Sequence, residues 1–233
     1  MSGATNGATS SPALELRGVT KAYADRMALD DISLDLSRGE LVALVGANGA
    51  GKSTLLQLAV GLLEPTSGDV LVEGTAAGSI DARRSLSYIS DQPSLYDDLT
   101  VNEHIEYVSR LHGGPARPES ADELLDLLNL TPRADDLPAR FSRGLRQKTA
   151  IVLALVRPFS VLLVDEPFVG LDPAGQDALA ELLTAAADAG CAVMVATHQL
   201  AFLERATRCL ALRDGAVAYR GRVDRAVIDP LLD

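Results

Sequence analysis

The run Gly46-Ala47-Asn48-Gly49-Ala50-Gly51-Lys52-Ser53 fits the pattern G-x-x-x-x-G-K-[ST] at every fixed position. It constrains the fold more than any other stretch, because such a loop works only between a buried strand and a helix. Both neighbours are legible. Leu41 to Val45 is a continuous apolar run that reads as a buried strand, and Ser53 to Ala59 reads as a helix. The glycines permit backbone conformations closed to bulkier residues, so successive N–H groups can turn toward one point at the positive end of a helix. Such a point attracts phosphate. The loop from Gly46 through Ser53, with Thr54 behind it, is therefore expected to cradle a nucleoside triphosphate. Lys52 would reach the β- and γ-phosphates, and the Ser53 hydroxyl would serve Mg²⁺, which takes oxygen ligands.

The chain of 233 residues has room for one compact domain with a sizeable core and an inserted subdomain, but not for a tandem pair. A formal net charge of −11 argues against a generic nucleic-acid binder, which needs a clustered cationic face, so no nucleic-acid partner is expected. The basic group Arg140, Arg143, Arg146 and Lys148 is local. Cys191 and Cys209 lie in apolar runs and read as small buried hydrophobes in a reducing cytosol, a disulfide or metal pair being the alternative. No apolar run approaches the roughly 18 residues needed to span a bilayer. Residues 1–12 are small and polar, lack the basic start and apolar core of a signal peptide, and are expected to form a disordered tail of a soluble chain.

The pattern along residues 13–233 is that of a single α/β domain. Leu14-Glu15-Leu16 and Ile32 to Leu36 alternate as half-exposed antiparallel strands do, whereas Leu41 to Val45 is apolar throughout, as in a central parallel strand. Asp69 to Val72 and Leu86 to Ile89 read as short strands continuing the sheet. The character then changes. Thr100-Val101-Asn102-Glu103 is a capping box opening a helix to about Leu111, Ser120-Ala121-Asp122-Glu123 opens another to about Leu128, and Leu145 to Val156 reads as a third. Three helices without a strand between them imply a helical subdomain over residues 93–157, inserted between core segments 13–92 and 158–233. Beyond it, Val161 to Val164 and Ala192 to Ala196 read as buried strands. Asp172-Pro173 caps the helix between them, and residues 210–219 read as a hairpin around Asp214-Gly215. His104 and His112 fall on or beside a surface helix and are assigned no role.

Val161 to Glu166 is an apolar strand ending in two carboxylates, which puts Asp165 at the carboxyl edge of the sheet, where open α/β sheets bind ligands. Asp165 is expected to hold Mg²⁺, directly or through water. Glu166 is expected to orient and deprotonate the water that attacks the γ-phosphate.

With these motifs in this order, the chain resembles the ATP-binding subunits of ATP-binding cassette (ABC) transporters from Leu14 to about Arg222. The resemblance implies an ATPase with a RecA-like P-loop NTPase core, an N-terminal antiparallel β subdomain and an inserted helical subdomain. Tyr23 sits where the family keeps an aromatic that stacks on adenine. Phe141-Ser142-Arg143-Gly144-Leu145 resembles the family's signature loop, with Arg143 in place of the first glycine. The resemblance implies that Ser142, Arg143 and Gly144 reach the γ-phosphate held by the opposite subunit of a head-to-tail dimer. Val169-Gly170-Leu171-Asp172 resembles the D-loop, placing Asp172 at the dimer interface, and His198 occupies the switch-histidine position, beside the γ-phosphate. In Tyr88-Ile89-Ser90-Asp91-Gln92-Pro93, a gapless alignment gives Asp91 the family's glutamine position and a one-residue shift gives it to Gln92. Either residue could approach the metal.

The same resemblance implies partners: a second ATPase subunit, most simply a homodimer, and an integral membrane permease in a separate chain. The expected location is therefore cytoplasmic, peripheral on the cytoplasmic face of the cell membrane. Pro93, Leu95, Tyr96 and Leu99 would form the docking groove or, alternatively, subdomain core. The stretch Leu95 to His104, the Ser-Arg-Gly signature and the short C-terminus look most like cassettes of ABC-2-type exporters, including multidrug exporters. The alternatives are an importer cassette and a soluble ABC ATPase acting on a macromolecular assembly.

Overall fold

Two sheets lie on either side of one phosphate loop. The structure, a computed structural model, describes residues 11–115 and 118–231, so residues 1–10 of the expected tail lie outside it. The chain opens with two long strands, β1 (Leu14–Tyr23) and β2 (Arg26–Leu36), paired antiparallel about the two-residue turn Ala24-Asp25. After β3 (Leu41–Val45), helix α1 (Lys52–Ala59) leads to β4 (Ser67–Val72) and the short β5 (Thr75–Ala76). Strand β4 pairs with β1, so the strand expected over Asp69 to Val72 completes the antiparallel sheet rather than the central one. A short apolar run specifies a strand without specifying its neighbour.

Helix α2 (Ile80–Ser85) then feeds β6 (Leu86–Ile89), the far edge of the second sheet. Three helices follow without a strand: α3 (Val101–Leu111), α4 (Ser120–Leu127) and α5 (Arg143–Leu155). Next come β7 (Val161–Asp165), α6 (Pro173–Asp188), β8 (Ala192–Ala196), α7 (Leu200–Leu203), β9 (Arg208–Arg213), β10 (Ala216–Gly221) and α8 (Arg225–Ile228). The second sheet runs β10-β9-β3-β8-β7-β6, parallel throughout except for the β9–β10 hairpin at one edge. Its turn, Asp214-Gly215, has both residues at positive φ, as a tight hairpin requires.

Strands β3 and β8, and β7 up to its last residue, are apolar throughout because both faces are covered. In β7, Val161 and Leu163 pack toward the antiparallel sheet and α1, whereas Leu162 and Val164 pack toward the helical side; Met194 and Val193 in β8 divide in the same way. Removing one such side chain leaves a cavity that costs about 2–5 kcal/mol. The sheet is therefore a rigid platform whose carboxyl edge sets where the following loops begin.

Local capping rules account for some of the helix starts and not for others. Thr100 accepts from the Glu103 N–H (3.2 Å) while Glu103 accepts from the Thr100 N–H (2.7 Å), the reciprocal box the sequence predicts. Ser120, by contrast, is the first residue inside α4 and Glu119 precedes it without a side-chain cap. Helix α5 starts at Arg143, two residues before Leu145, because the Ser142 hydroxyl accepts from the Leu145 N–H (3.3 Å) and sets the cap there.

His104 does have a role. It is buried, its Nε2 accepts from the Tyr96 N–H (2.9 Å), and its Nδ1, 2.8 Å from the Thr100 carbonyl, donates to it. The pair of bonds pins the segment before α3 against the helix. His104→Leu removes both and is expected to lower stability by about 1–3 kcal/mol, measured by urea denaturation; an unchanged midpoint would contradict this role.

Candidate functional site

The carboxyl ends of β3, β6, β7 and β8 all point to one edge, and the loops leaving them meet there. The loop after β3 is held from behind. A Cβ at Gly46 (φ 144°) would lie 2.3 Å from the Leu212 carbonyl oxygen, and one at Gly51 (φ 108°) would lie 2.7 Å from the Leu29 side chain. Backbone of β9 and side chain of β2 thus fix where the loop can run, and only glycine fits at those points. The β9–β10 turn closes the arrangement, since Gly215 donates to the Ala50 carbonyl (3.2 Å) and accepts from the Asp30 N–H (2.9 Å). The buried Lys52 ammonium donates to the Gly46 carbonyl (2.7 Å) and the Ala47 carbonyl (3.2 Å).

A cavity of about 410 Å³ opens over this loop. Asn48, Gly49, Gly51, Lys52, Ser53 and Thr54 form its floor, Tyr23 one wall, and Asp91 and Glu166 the opposite side. Gly46, Ala47 and Ala50 lie in the loop without lining the cavity. Tyr23 is exposed at the end of β1, with the Lys21 ammonium 5.0 Å from its ring centroid. Arg26, just across the two-residue turn from Tyr23, also lines the cavity, and its Nη2 is 3.4 Å from the Gly49 carbonyl oxygen. The sequence reading missed it. The signal was available in the spacing, since a two-residue turn places the residues on either side of it opposite each other.

Asp165 ends β7 only 1% exposed, and neither of its carboxylate oxygens has a hydrogen-bond donor. Burial pushes its carboxyl above the ordinary aspartate range; the Ser53 hydroxyl opposes this without a hydrogen bond of regular geometry, Asp91 and Glu166 add to the rise, and Lys52 lowers it. A buried carboxylate without donors has the chemistry of a cation ligand. The next residue, Glu166, has φ 43° and donates its N–H to the Ala196 carbonyl (2.9 Å). This left-handed turn, a strain of about 1–3 kcal/mol, swings the side chain out of the strand direction and into the cavity wall. Nδ1 of His198, just past β8, lies 3.0 Å from its Oε2.

The two candidates after β6 part company. Asp91 lines the cavity, while Gln92 lines a separate groove, its Nε2 3.5 Å from Asp91 Oδ2. Ser142, Arg143 and Gly144 do not line the cavity of their own chain. They form the start of α5 and rest on the segment after β7: a Cβ at Gly144 would lie 2.4 Å from the Gly170 carbonyl oxygen. Asp172 makes no side-chain cap for α6. Its Oδ1 instead pairs with the Lys148 ammonium at 2.7 Å, because that cation is buried in α5 alongside and a charged partner outcompetes a backbone N–H. A second missed contact is the relay from Gln199 Nε2 to Gln176 Oε1 (2.6 Å) and from Gln176 Nε2 to the Leu171 carbonyl (3.1 Å), which ties the loop carrying His198 to residues 168–172.

The model of the family described as ABC transporter matches residues 29–169, more than half of the chain. The chain belongs to the ABC transporter family. It is the ATP-binding, ATP-hydrolysing subunit of a transporter of that family. It is 36% identical over 205 residues to the SkfA peptide export ATP-binding protein SkfE of Bacillus subtilis (strain 168), covering 87% of this chain and 86% of that one. It is 34% identical to the ABC-type transporter ATP-binding protein EcsA of the same organism, covering 89% and 86%. Its fold matches the dimeric ATP-binding cassette MJ0796 in a post-hydrolysis state bound to ADP and Pi. The TM-score is 0.82 and the identity 27%, with 91% of this chain and 99% of that one covered.

The Lys148–Asp172 pair is testable through pH. Lys148 holds the Asp172 carboxyl below its ordinary range, so the pair stabilises the fold above the ordinary aspartate value and is lost as pH falls through the depressed one. With the Asp172 side chain 55% exposed, Asp172→Asn is expected to cost about 1 kcal/mol or less at neutral pH. The difference from wild type should begin to shrink near pH 4 and close only below the depressed folded-state value, as followed by chemical denaturation across pH.

Proposed function

We propose that two copies of this chain, arranged head to tail, enclose two Mg-ATP molecules and hydrolyse them to drive export through a separate integral membrane permease. The carrying observation is the division of the site. One chain gathers Tyr23, the phosphate loop, Asp91 and Glu166 around a single cavity, while its Ser142–Gly144 turn faces elsewhere at the start of α5. That turn presents a hydroxyl and backbone N–H groups at a helix N-terminus, an anion site lacking an anion source in its own chain. A second copy supplies one.

Within each composite site the roles follow from the chemistry of the groups. Lys52 and the loop N–H groups hold the β- and γ-phosphates, and Tyr23 stacks on the base. Ser53 and Asp165 hold Mg²⁺, which supplies neutralisation of charge across the phosphate oxygens. Glu166 takes the proton of the attacking water, and His198, in contact with its carboxylate, keeps that side chain aimed. Ser142 and Gly144 of the second chain close over the γ-phosphate with Arg143 beside them, and Asp172 lies at the interface.

The groove of about 690 Å³ beside the cavity supports the membrane partner. Pro93, Leu95, Val108, Leu111 and Leu153 line it together with Arg83, Arg157 and His112, and no carboxylate does. The Arg157 guanidinium binds the Leu86 carbonyl (2.7 Å) and the Arg83 carbonyl (2.9 Å) yet leaves its buried Nε without an acceptor. An apolar groove with a cationic wall, on a chain of net charge −11, suits a short helix carrying an acid. Tyr96 lies outside the groove, edge-on to Tyr107 with ring centroids 5.6 Å apart, and Leu99 does not line it. Among the described residues no helix is long and apolar enough to cross a membrane, consistent with peripheral attachment at the cytoplasmic face. Export is favoured by the similarity to SkfE, which is named for peptide export.

Purified protein should hydrolyse Mg-ATP with a specific activity that rises with protein concentration, because the site is shared. Glu166→Gln should lower turnover by about 100-fold or more while slowing dissociation of the ATP-bound dimer in sedimentation. A rate independent of concentration, with no dimer formed in ATP, would overturn the shared site. Export is tested by the permease that co-purifies from native membranes: its substrate should move out of the cytoplasm.

A further inference from the structure

Asp91 and Gln92 leave β6 side by side and enter different spaces. Asp91 faces the cavity that holds Lys52, Ser53 and Glu166, and Gln92 faces the groove. The residue over the phosphate loop is therefore a carboxylate rather than an amide: Asp91 and Glu166 line the cavity with Lys52 and Arg26, and the buried Asp165 carboxyl feels Asp91, Glu166 and Lys52. The charge of Asp91 is felt at two neighbours, since it helps raise the carboxyl of Asp165 and, after burial and Asp165 itself, the phenol of Tyr88.

Asp165 gives a second, independent sign that a cation belongs here: it is almost wholly buried and both oxygens lack a donor. Yet among the described residues no three His, Cys, Asp or Glu side chains converge closely enough to hold an ion by themselves. A divalent ion at this edge needs phosphate oxygens to complete its shell, as Mg²⁺ characteristically does. A triphosphate, in turn, meets a carboxylate that repels it unless the ion comes too.

We infer that Asp91 makes nucleotide binding conditional on the divalent cation, discriminating against metal-free nucleotide. The inference rests on the nucleotide reading of the cavity given above. With the ion present, the Asp91 carboxylate faces a cation and its effect on binding turns from repulsive to neutral or favourable. Without it, like charges confront each other. By linkage the coupling is reciprocal, so Asp91 equally makes retention of the ion depend on the nucleotide. At the effective dielectric of a partly exposed site, one unit charge within about 5–8 Å of the phosphates alters affinity by about tenfold to a hundredfold. Asp91→Gln removes the charge and keeps a polar amide, on a side chain one methylene longer.

The test is the dissociation constant of a non-hydrolysable ATP analogue for wild type, Asp91→Gln and Gln92→Ala, each in excess Mg²⁺ and in excess EDTA. Expected is weak metal-free binding by wild type, tightened about tenfold or more in Asp91→Gln, while the constants in Mg²⁺ differ by much less and Gln92→Ala follows wild type throughout. Equal metal-free affinities of wild type and Asp91→Gln would overturn the inference and leave the nucleotide reading standing. Absence of binding by wild type even in Mg²⁺ would overturn the nucleotide reading, and the inference with it. A gain in Gln92→Ala matching that of Asp91→Gln would assign the effect to the loop rather than to the charge, which also overturns it.

Discussion

Asp165 is buried with no donor to either carboxylate oxygen, and much of the molecule is arranged so that this costly condition can exist. An unpartnered buried charge is worth several kcal/mol of destabilisation; a rigid scaffold must supply that elsewhere. The β7 strand beneath it is apolar on both faces and is paired in parallel on both sides, with β6 and with β8. The strand cannot retract the carboxylate into water without breaking that pairing. Lys52 and Ser53 stand across from it because the glycines of the phosphate loop let backbone pass against Leu212 and Leu29 at distances no side chain permits. The site is thus high in energy when considered alone and complementary to a cation carried by a phosphate.

From this edge two mechanical links run outward. Glu166 follows Asp165 at positive φ and meets His198; Gln199, next in sequence, reaches through Gln176 to the carbonyls of residues 168–172. Those residues support the Gly144 turn through Gly170, and Lys148 of the same helix holds Asp172. The proposed catalytic pair and the surface proposed to serve a second chain are consequently joined by backbone contacts and hydrogen bonds within a few residues. A change at one would be felt at the other without any long route of transmission.

Much of this was legible in the sequence because the strongest signals are local. The phosphate loop with its flanking strand and helix, the Thr100–Glu103 box and the apolar strand ending at Asp165 each depend on neighbours within a few residues, and each is present. What escaped depends on long-range packing. Asp69 to Val72 is a strand on either reading, and only the pairing of β4 with β1 decides its sheet. Asp172 has the residue type and position of a helix cap, but Lys148, 24 residues away, takes its carboxylate. His104 looked like a surface histidine because nothing local shows that the Tyr96 N–H turns back onto it. Asp91 and Gln92 are indistinguishable by spacing, since the alternation that orients a strand ends with β6; the structure puts one in each of two adjoining spaces.

The central claim, that each ATP site is built from two chains, is most directly tested by subunit complementation. Lys52→Ala removes the phosphate-binding ammonium from one chain. Ser142→Asp keeps an acceptor for the α5 cap while directing a negative charge at the γ-phosphate of the opposite chain. Each variant alone should be inactive, but a mixture should regain ATPase activity, because mixed dimers pair the intact phosphate loop of the Ser142→Asp chain with the intact Ser142 of the Lys52→Ala chain. A mixture as inactive as its components, with mixed dimers shown to form, would contradict the account.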